Sequence, residues 1–169
     1  MPDAPHPAAV VVMGVCGSGK STIAALVASH LGVPYVDADA LHPDANVAKM
    51  ASGTPLTDDD RWPWLAAVGS VLAGAQDGVV VACSALRRAC RDAILAQSPG
   101  VRFVHLHAER GVLAERLAGR TDHFMPSALL DSQLATLEAL VADEPGFVVD
   151  VDQPVDAILA DVVAGLAQV

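Results

Sequence analysis

At 169 residues the chain can bury about 70% of the surface that its unfolded form exposes, so it needs no disulfide or metal staple. A hydrophobic content of 53% excludes a disordered chain, and a net charge of −10 argues against general binding to nucleic acid or to an anionic membrane. With two lysines, Lys20 and Lys49, and eight arginines, a small anionic substrate has to be met by a few placed cations.

The opening "MPDAPHP" is proline-rich and is expected to fray over residues 1–7. "AVVVMG" predicts a strand buried on both faces. "GVCGSGKST" follows directly, and residues 14–21 match G-x-x-x-x-G-K-[ST] in full. Glycines let backbone amides approach a phosphate closely, and the helix that follows adds its positive end. The candidate nucleotide-binding residues are therefore Gly14, Gly17, Ser18, Gly19, Lys20, Ser21 and Thr22. Lys20 supplies a point charge for the β- and γ-phosphates, and Ser21 a hydroxyl for Mg²⁺.

Residues 21–31 predict a helix stopped by Gly32, and "VPYVD" a second strand. That strand runs into Asp37, Ala38 and Asp39, beside the phosphate loop if the first two strands are neighbours. One carboxylate there can orient a hydroxyl and accept its proton, and a second can hold Mg²⁺ through water. The alternative is a turn or cap for the next helix. A short helix is expected over 44–51, and "TDDDRWPWLAAVGSVLAGA" opens on acidic N-cap candidates before continuing as a helix. "GVVVACS" is a third strand and 86–96 a helix. "VRFVHLH" is a fourth strand and 109–118 a helix, after which "GRTDHFMP" breaks the pattern. Residues 127–141 are helical, "GFVVDV" is a fifth strand, and 155–169 form a closing helix.

Strands that alternate with helices predict an α/β fold, with a parallel five-stranded sheet covered on both faces in three layers. Ligands bind such sheets beyond the carboxyl ends of the strands, so residues from 14 onward, 37–39, 84–87 and 107–110 should converge. The whole chain reads as one domain. No signal peptide and no bilayer-spanning run is visible. Three cysteines without metal-type spacing, Cys16, Cys83 and Cys90, fit reduced thiols in the cytoplasm. His105 and His107 read as sheet or pocket-wall residues, not metal ligands.

Three further blocks carry a resemblance: "DADALHPDANVAKMASGTPLTDDDRWPWL", "CSALRRACRD" and "HFMPSALLDSQLATLE". With the phosphate loop they resemble the gluconokinase family from about residue 11 to residue 150. The resemblance implies a fold like the nucleoside monophosphate kinases, with a short lid at about 119–127. It also implies ATP, Mg²⁺, commonly a homodimer, and transfer to the 6-hydroxyl of D-gluconate. One departure is Ala38, where the family usually has glycine between the two aspartates. The position of Cys16 varies in the family, so its thiol reads as a passenger.

On this resemblance Asp39 matches the carboxylate that meets the acceptor hydroxyl, and Asp37 is left for Mg²⁺ through water. His42, Asn46 and Lys49 fall in the substrate-side segment. Lys49 is a candidate for the gluconate carboxylate or a solvated helix cation. Arg61 is a carboxylate clamp, or a partner of Asp58 or Asp59. Trp62 and Trp64 read as helix packing. Arg87 follows strand three and is assigned to substrate, while Arg91 reads as a solvated or dimer-face charge. Arg116 and Arg120 share one helix face before the lid and are assigned to nucleotide and transferring phosphate, the alternative being pairs with Glu109 or Glu115. His123 and Gln133 are candidate substrate contacts, with structural hydrogen bonding and an exposed helix position as the alternatives. By fold analogy, the loop at 152–154 is a candidate reader of adenine. A shikimate-like hydroxy acid or a nucleoside monophosphate as acceptor, or a non-catalytic nucleotide sensor, are the other readings.

Overall fold

The computed structural model describes residues 9–119 and 127–168. The fraying expected over 1–7, most of the expected lid, Arg120 and His123 lie outside the described residues. Five strands, β1 (Ala9–Met13), β2 (Tyr35–Asp37), β3 (Val79–Ala82), β4 (Arg102–His107) and β5 (Gly146–Asp150), form one parallel sheet in the order β2-β3-β1-β4-β5. Helices α1 (Lys20–Leu31), α2 (Asp44–Ala51), α3 (Asp58–Gly74), α4 (Arg88–Gln97), α5 (Arg110–Ala118), α6 (Ser127–Thr136) and α7 (Val155–Ala167) follow the expected alternation.

Side chains alternate across each strand, so the valine runs feed two cores. Val10, Val12, Val104 and Leu106 pack with Ile23 and Val27 of α1, Leu113 of α5 and Ile158 of α7. Val11, Met13, Val81 and Phe103 pack on the other face with Leu65 and Val68 of α3 and Ile94 of α4. Gly32 stops α1 as expected. Its φ of 69° is left-handed, and its N–H turns back to the carbonyls of Ala28 and Ser29.

Several boundaries differ from expectation. The first two strands are not neighbours: β2 pairs with β3 through Tyr35↔Val80 and Val36↔Val81, and β3 pairs with β1. The reason is burial. All four residues of β3 are buried, which suits a central strand, whereas β2 keeps Tyr35 exposed and suits an edge. The cap of α3 is Thr57 and not an aspartate. Its hydroxyl accepts the Asp60 N–H while the Asp60 carboxylate accepts the Thr57 N–H, a reciprocal capping box. Helix α6 ends at Thr136, short of 141, because the Glu138 N–H leaves the helical ladder for the Leu86 carbonyl at 2.8 Å. Helix α4 starts at Arg88, since Ala85 is left-handed (φ 44°) and Arg87 is extended.

Candidate active site

Between β1 and α1 the chain folds into a cradle at the carboxyl edge of the sheet. Ser18 is fully buried, and its hydroxyl donates to the Val15 carbonyl at 2.7 Å. Lys20 Nζ donates to the same carbonyl at 3.2 Å, which lays the ammonium over the loop. Gly17 has φ 83°, and a Cβ there would lie 2.9 Å from Leu117 Cγ and 3.0 Å from the Leu113 carbonyl oxygen. The cradle backbone therefore rests directly on α5. Ser21 and Thr22 are exposed on the first turn of α1. The Gly14 N–H points at the Ser84 carbonyl, 3.4 Å away, joining the cradle to the end of β3.

Two other helices reach this loop. Arg116, half-buried on α5, donates to the Val151 carbonyl rather than to Glu109 or Glu115. Its Nη1 lies 4.0 Å from where a Cβ on Gly19 would be, so the guanidinium stands beside the cradle. Gln133 on α6 is half-buried, and its Oε1 accepts the Cys16 N–H at 2.7 Å.

The acidic turn is built at the end of β2. Asp37 Oδ1 accepts the Asp39 N–H at 2.9 Å and so opens a short 3-10 turn, Ala38–Leu41. Ala38 is fully buried, and its carbonyl accepts the indole N–H of Trp64 at 2.7 Å. Trp64 is 6% exposed and stacks on His42, centroids 4.4 Å apart and planes 13° apart. Burial lowers the His42 pKa, Asp39 opposes this and Arg61 adds to it, so the ring is neutral at neutral pH. The Asn46 side-chain nitrogen lies 3.2 Å from His42 Nδ1 and donates to the Asp60 carbonyl at 2.8 Å. Trp62, expected to pack, is 43% exposed.

The candidate substrate cations all meet acids of the first turn of α3. Lys49 Nζ lies 2.7 Å from Asp60 Oδ2. That hydrogen bond, with the Thr57 N–H, holds the Asp60 carboxyl at about 2. Arg61 and Arg87 both donate to Asp58, at 3.2 Å. The two pairs on Asp58 are exposed, and such pairs are worth about 0–1 kcal/mol, so an anionic ligand can displace them cheaply; the Lys49–Asp60 pair is half-buried.

The segment after β3 lies between cradle and acidic turn. Burial pushes the Cys83 thiol up to about 12, and a backbone hydrogen bond from Ala85 opposes this. Ala85 next adopts the left-handed conformation, which costs a non-glycine residue about 1–2 kcal/mol.

Arg91 overturns its expected place on the surface: it is fully buried. Its Nε and Nη2 fork onto the Glu144 carboxylate at 2.5 and 3.0 Å. Nη1 donates to the carbonyls of Ala85 and Leu86, and Nη2 also to that of Glu138. Burial pushes the Glu144 carboxyl up, but the Arg91 hydrogen bond and charge outweigh it, and the group titrates below its usual range. Sequence reasoning had Asp58 among the alternatives for Arg61, but missed Trp64 on Ala38, Asp60 as the partner of Lys49, Asp58 as that of Arg87, and the Arg91–Glu144 pair. The T-x-x-D spacing of the capping box could have found Asp60; no local spacing points to Glu144, 53 residues away.

The AAA domain family matches residues 10–140. A gluconokinase of Gluconobacter oxydans (strain 621H) is 46% identical over 160 residues, covering 93% of this chain and 90% of that protein. The thermoresistant gluconokinase of Escherichia coli (strain K12) is 41% identical over 157 residues, covering 90% of both. The crystal structure of a gluconokinase from Sinorhizobium meliloti 1021 superposes with a TM-score of 0.89 at 51% identity, covering 98% of this chain and 94% of that one.

Proposed function

We propose the following function from the premise that the chain belongs to the AAA domain family and, within it, to the gluconokinases. It is a P-loop kinase that moves the γ-phosphate of ATP to the 6-hydroxyl of D-gluconate, giving 6-phospho-D-gluconate and ADP. The observation that carries this reading is a phosphate cradle that follows β1 and an exposed carboxylate turn that follows β2, at the same edge of one parallel sheet with only β3 between them.

The amides of residues 14–21, with Lys20, hold the triphosphate. Asp39, exposed at the acidic turn, orients the acceptor hydroxyl and takes its proton as the bond to phosphorus forms. Mg²⁺ fits the oxygen donors here, the exposed Ser21 hydroxyl and Asp37 through water. When bound, it supplies neutralising charge to the β- and γ-phosphate oxygens. Lys49, Arg61 and Arg87 trade their partners on α3 for the gluconate carboxylate. His42, His123 and Gln133 meet its hydroxyls. Arg116 and Arg120 neutralise the transferring phosphate, and closure of the lid at about 119–127 excludes water. We place this single-domain enzyme in the cytoplasm as a homodimer. Light scattering tests the dimer.

The test is ADP release with gluconate, other sugar acids, shikimate and nucleoside monophosphates. Turnover with gluconate above all others is expected. Another preferred acceptor overturns the assignment, and no turnover with any acceptor favours a nucleotide sensor. Lys20→Ala and Asp39→Asn abolish turnover, and Asp39→Asn leaves ATP binding nearly intact. Near-normal turnover in Asp39→Asn removes the role given to Asp39.

A further inference from the structure

The segment that leaves β3 has a shape its own residues do not favour. Ala85 is left-handed without being glycine, and Arg87 follows as the extended N-cap of α4. Three bonds from outside hold this segment. Arg91 Nη1 donates to the Ala85 carbonyl at 2.9 Å and to the Leu86 carbonyl at 3.2 Å. The Glu138 N–H donates to the Leu86 carbonyl at 2.8 Å. Arg91 in turn is fixed by Glu144 and the Glu138 carbonyl, so its five N–H groups have five acceptors. Its neighbour Arg88 is drawn to the same side, with its amide on Glu138 Oε2 and its guanidinium forked on Asp143. Arg87 is left to cross the other way, toward Asp58 on α3.

We infer that the buried Arg91–Glu144 pair is a positioning device: it clamps the loop at 84–87 in its left-handed form and thereby sets Arg87 for the acceptor carboxylate. The inference rests on the gluconokinase reading, since it gives Arg87 a ligand. A buried ion pair is weak evidence of a stability role, because apolar residues of similar volume often serve as well. A guanidinium fork holds two loop carbonyls and a carboxylate at once, which the compact ammonium of lysine cannot do.

The experiment compares Arg91→Lys and Glu144→Gln with the parent chain, by melting and by separate KM values for gluconate and for ATP. The KM for gluconate is expected to rise about tenfold, while that for ATP moves less than about twofold. Adding Ala85→Gly to Arg91→Lys should recover about a third or more of the loss on a logarithmic scale, because glycine holds the left-handed turn without strain. A general loss of structure would move both KM values and would not be rescued by loosening the loop further. Equal shifts in the two KM values, no shift, or no rescue overturns the inference. Should Arg91→Lys not fold, Glu144→Gln with and without Ala85→Gly carries the same comparison. Lack of gluconate turnover in the parent chain overturns the function instead, so the two failures are told apart.

Discussion

Replacing Trp64 with phenylalanine tests how the acidic turn is held. The change removes the indole N–H that donates to the Ala38 carbonyl at 2.7 Å, at a position where both residues are buried. Leaving that carbonyl without its donor costs about 1–3 kcal/mol. The indole also carries two more ring carbons than phenyl, each worth about 0.8 kcal/mol when buried. Together, with some relaxation, the loss is about 2–4 kcal/mol. In a chain of this length each kcal/mol moves the melting temperature by about 2–4 °C, so Trp64→Phe should melt about 5–15 °C lower. Trp62→Phe is the internal control: an exposed position should change stability by about 0.5 kcal/mol or less. Thermal scans by circular dichroism give both values, and initial rates of ADP release give kcat. Because Ala38 lies between Asp37 and Asp39, kcat should fall in Trp64→Phe alone. If the two variants melt within about 2 °C of each other, the hydrogen bond does not anchor the turn and the reasoning fails.

Gly17→Ala should abolish nucleotide binding while the chain still folds, because its Cβ would press on Leu117 and on the Leu113 carbonyl at a left-handed φ; isothermal titration with an ATP analogue reads this. Gln133→Ala should weaken the affinity for ATP about three- to tenfold, since the Cys16 N–H loses an acceptor; unchanged affinity would separate α6 from the cradle. Burial, then the charges of His107 and Arg91, lowers His105 from 6.5 to about 4. The unfolded chain therefore binds this proton first, and stability present above about pH 6.5 is lost as pH falls toward 4, on the order of 3 kcal/mol in all. Denaturant titrations of His105→Leu should show a shallower loss over that window, and an identical slope would refute the burial argument.

Much of the fold was legible because its signals are local. The valine runs of β1 and β3 are buried on both faces, and such runs read as strands without knowledge of their neighbours. The phosphate loop declares itself through glycines whose backbone no other residue could copy. The order of the strands was not legible, since nothing in "VPYVD" says which strand it joins; that depends on β3 being wholly buried. Nor was the fate of "LEALV" after α6. Its apolar spacing continues a helix, yet Glu138 does more by meeting Leu86 and Arg88 across the fold. Arg91 failed for the same reason. From composition an arginine belongs in water, and the acceptors that bury it include Glu144, far along the chain. Which cations meet which acids on α3 was likewise a matter of tertiary approach, although the Asp58 partner of Arg61 was among the alternatives.

The placement of β3 between β1 and β2 has a geometric outcome. Two strand spacings of about 4.8 Å put the acidic edge roughly 10 Å sideways from the strand that feeds the cradle. That gap is set by main-chain pairing and not by any side chain, so it survives most substitutions. The proposed transfer from the cradle to the acceptor has to bridge it past the end of β3. Trimming or lengthening residues around the rim would then alter which acids enter, while the span over which the phosphate travels stays written in the ladder of the sheet.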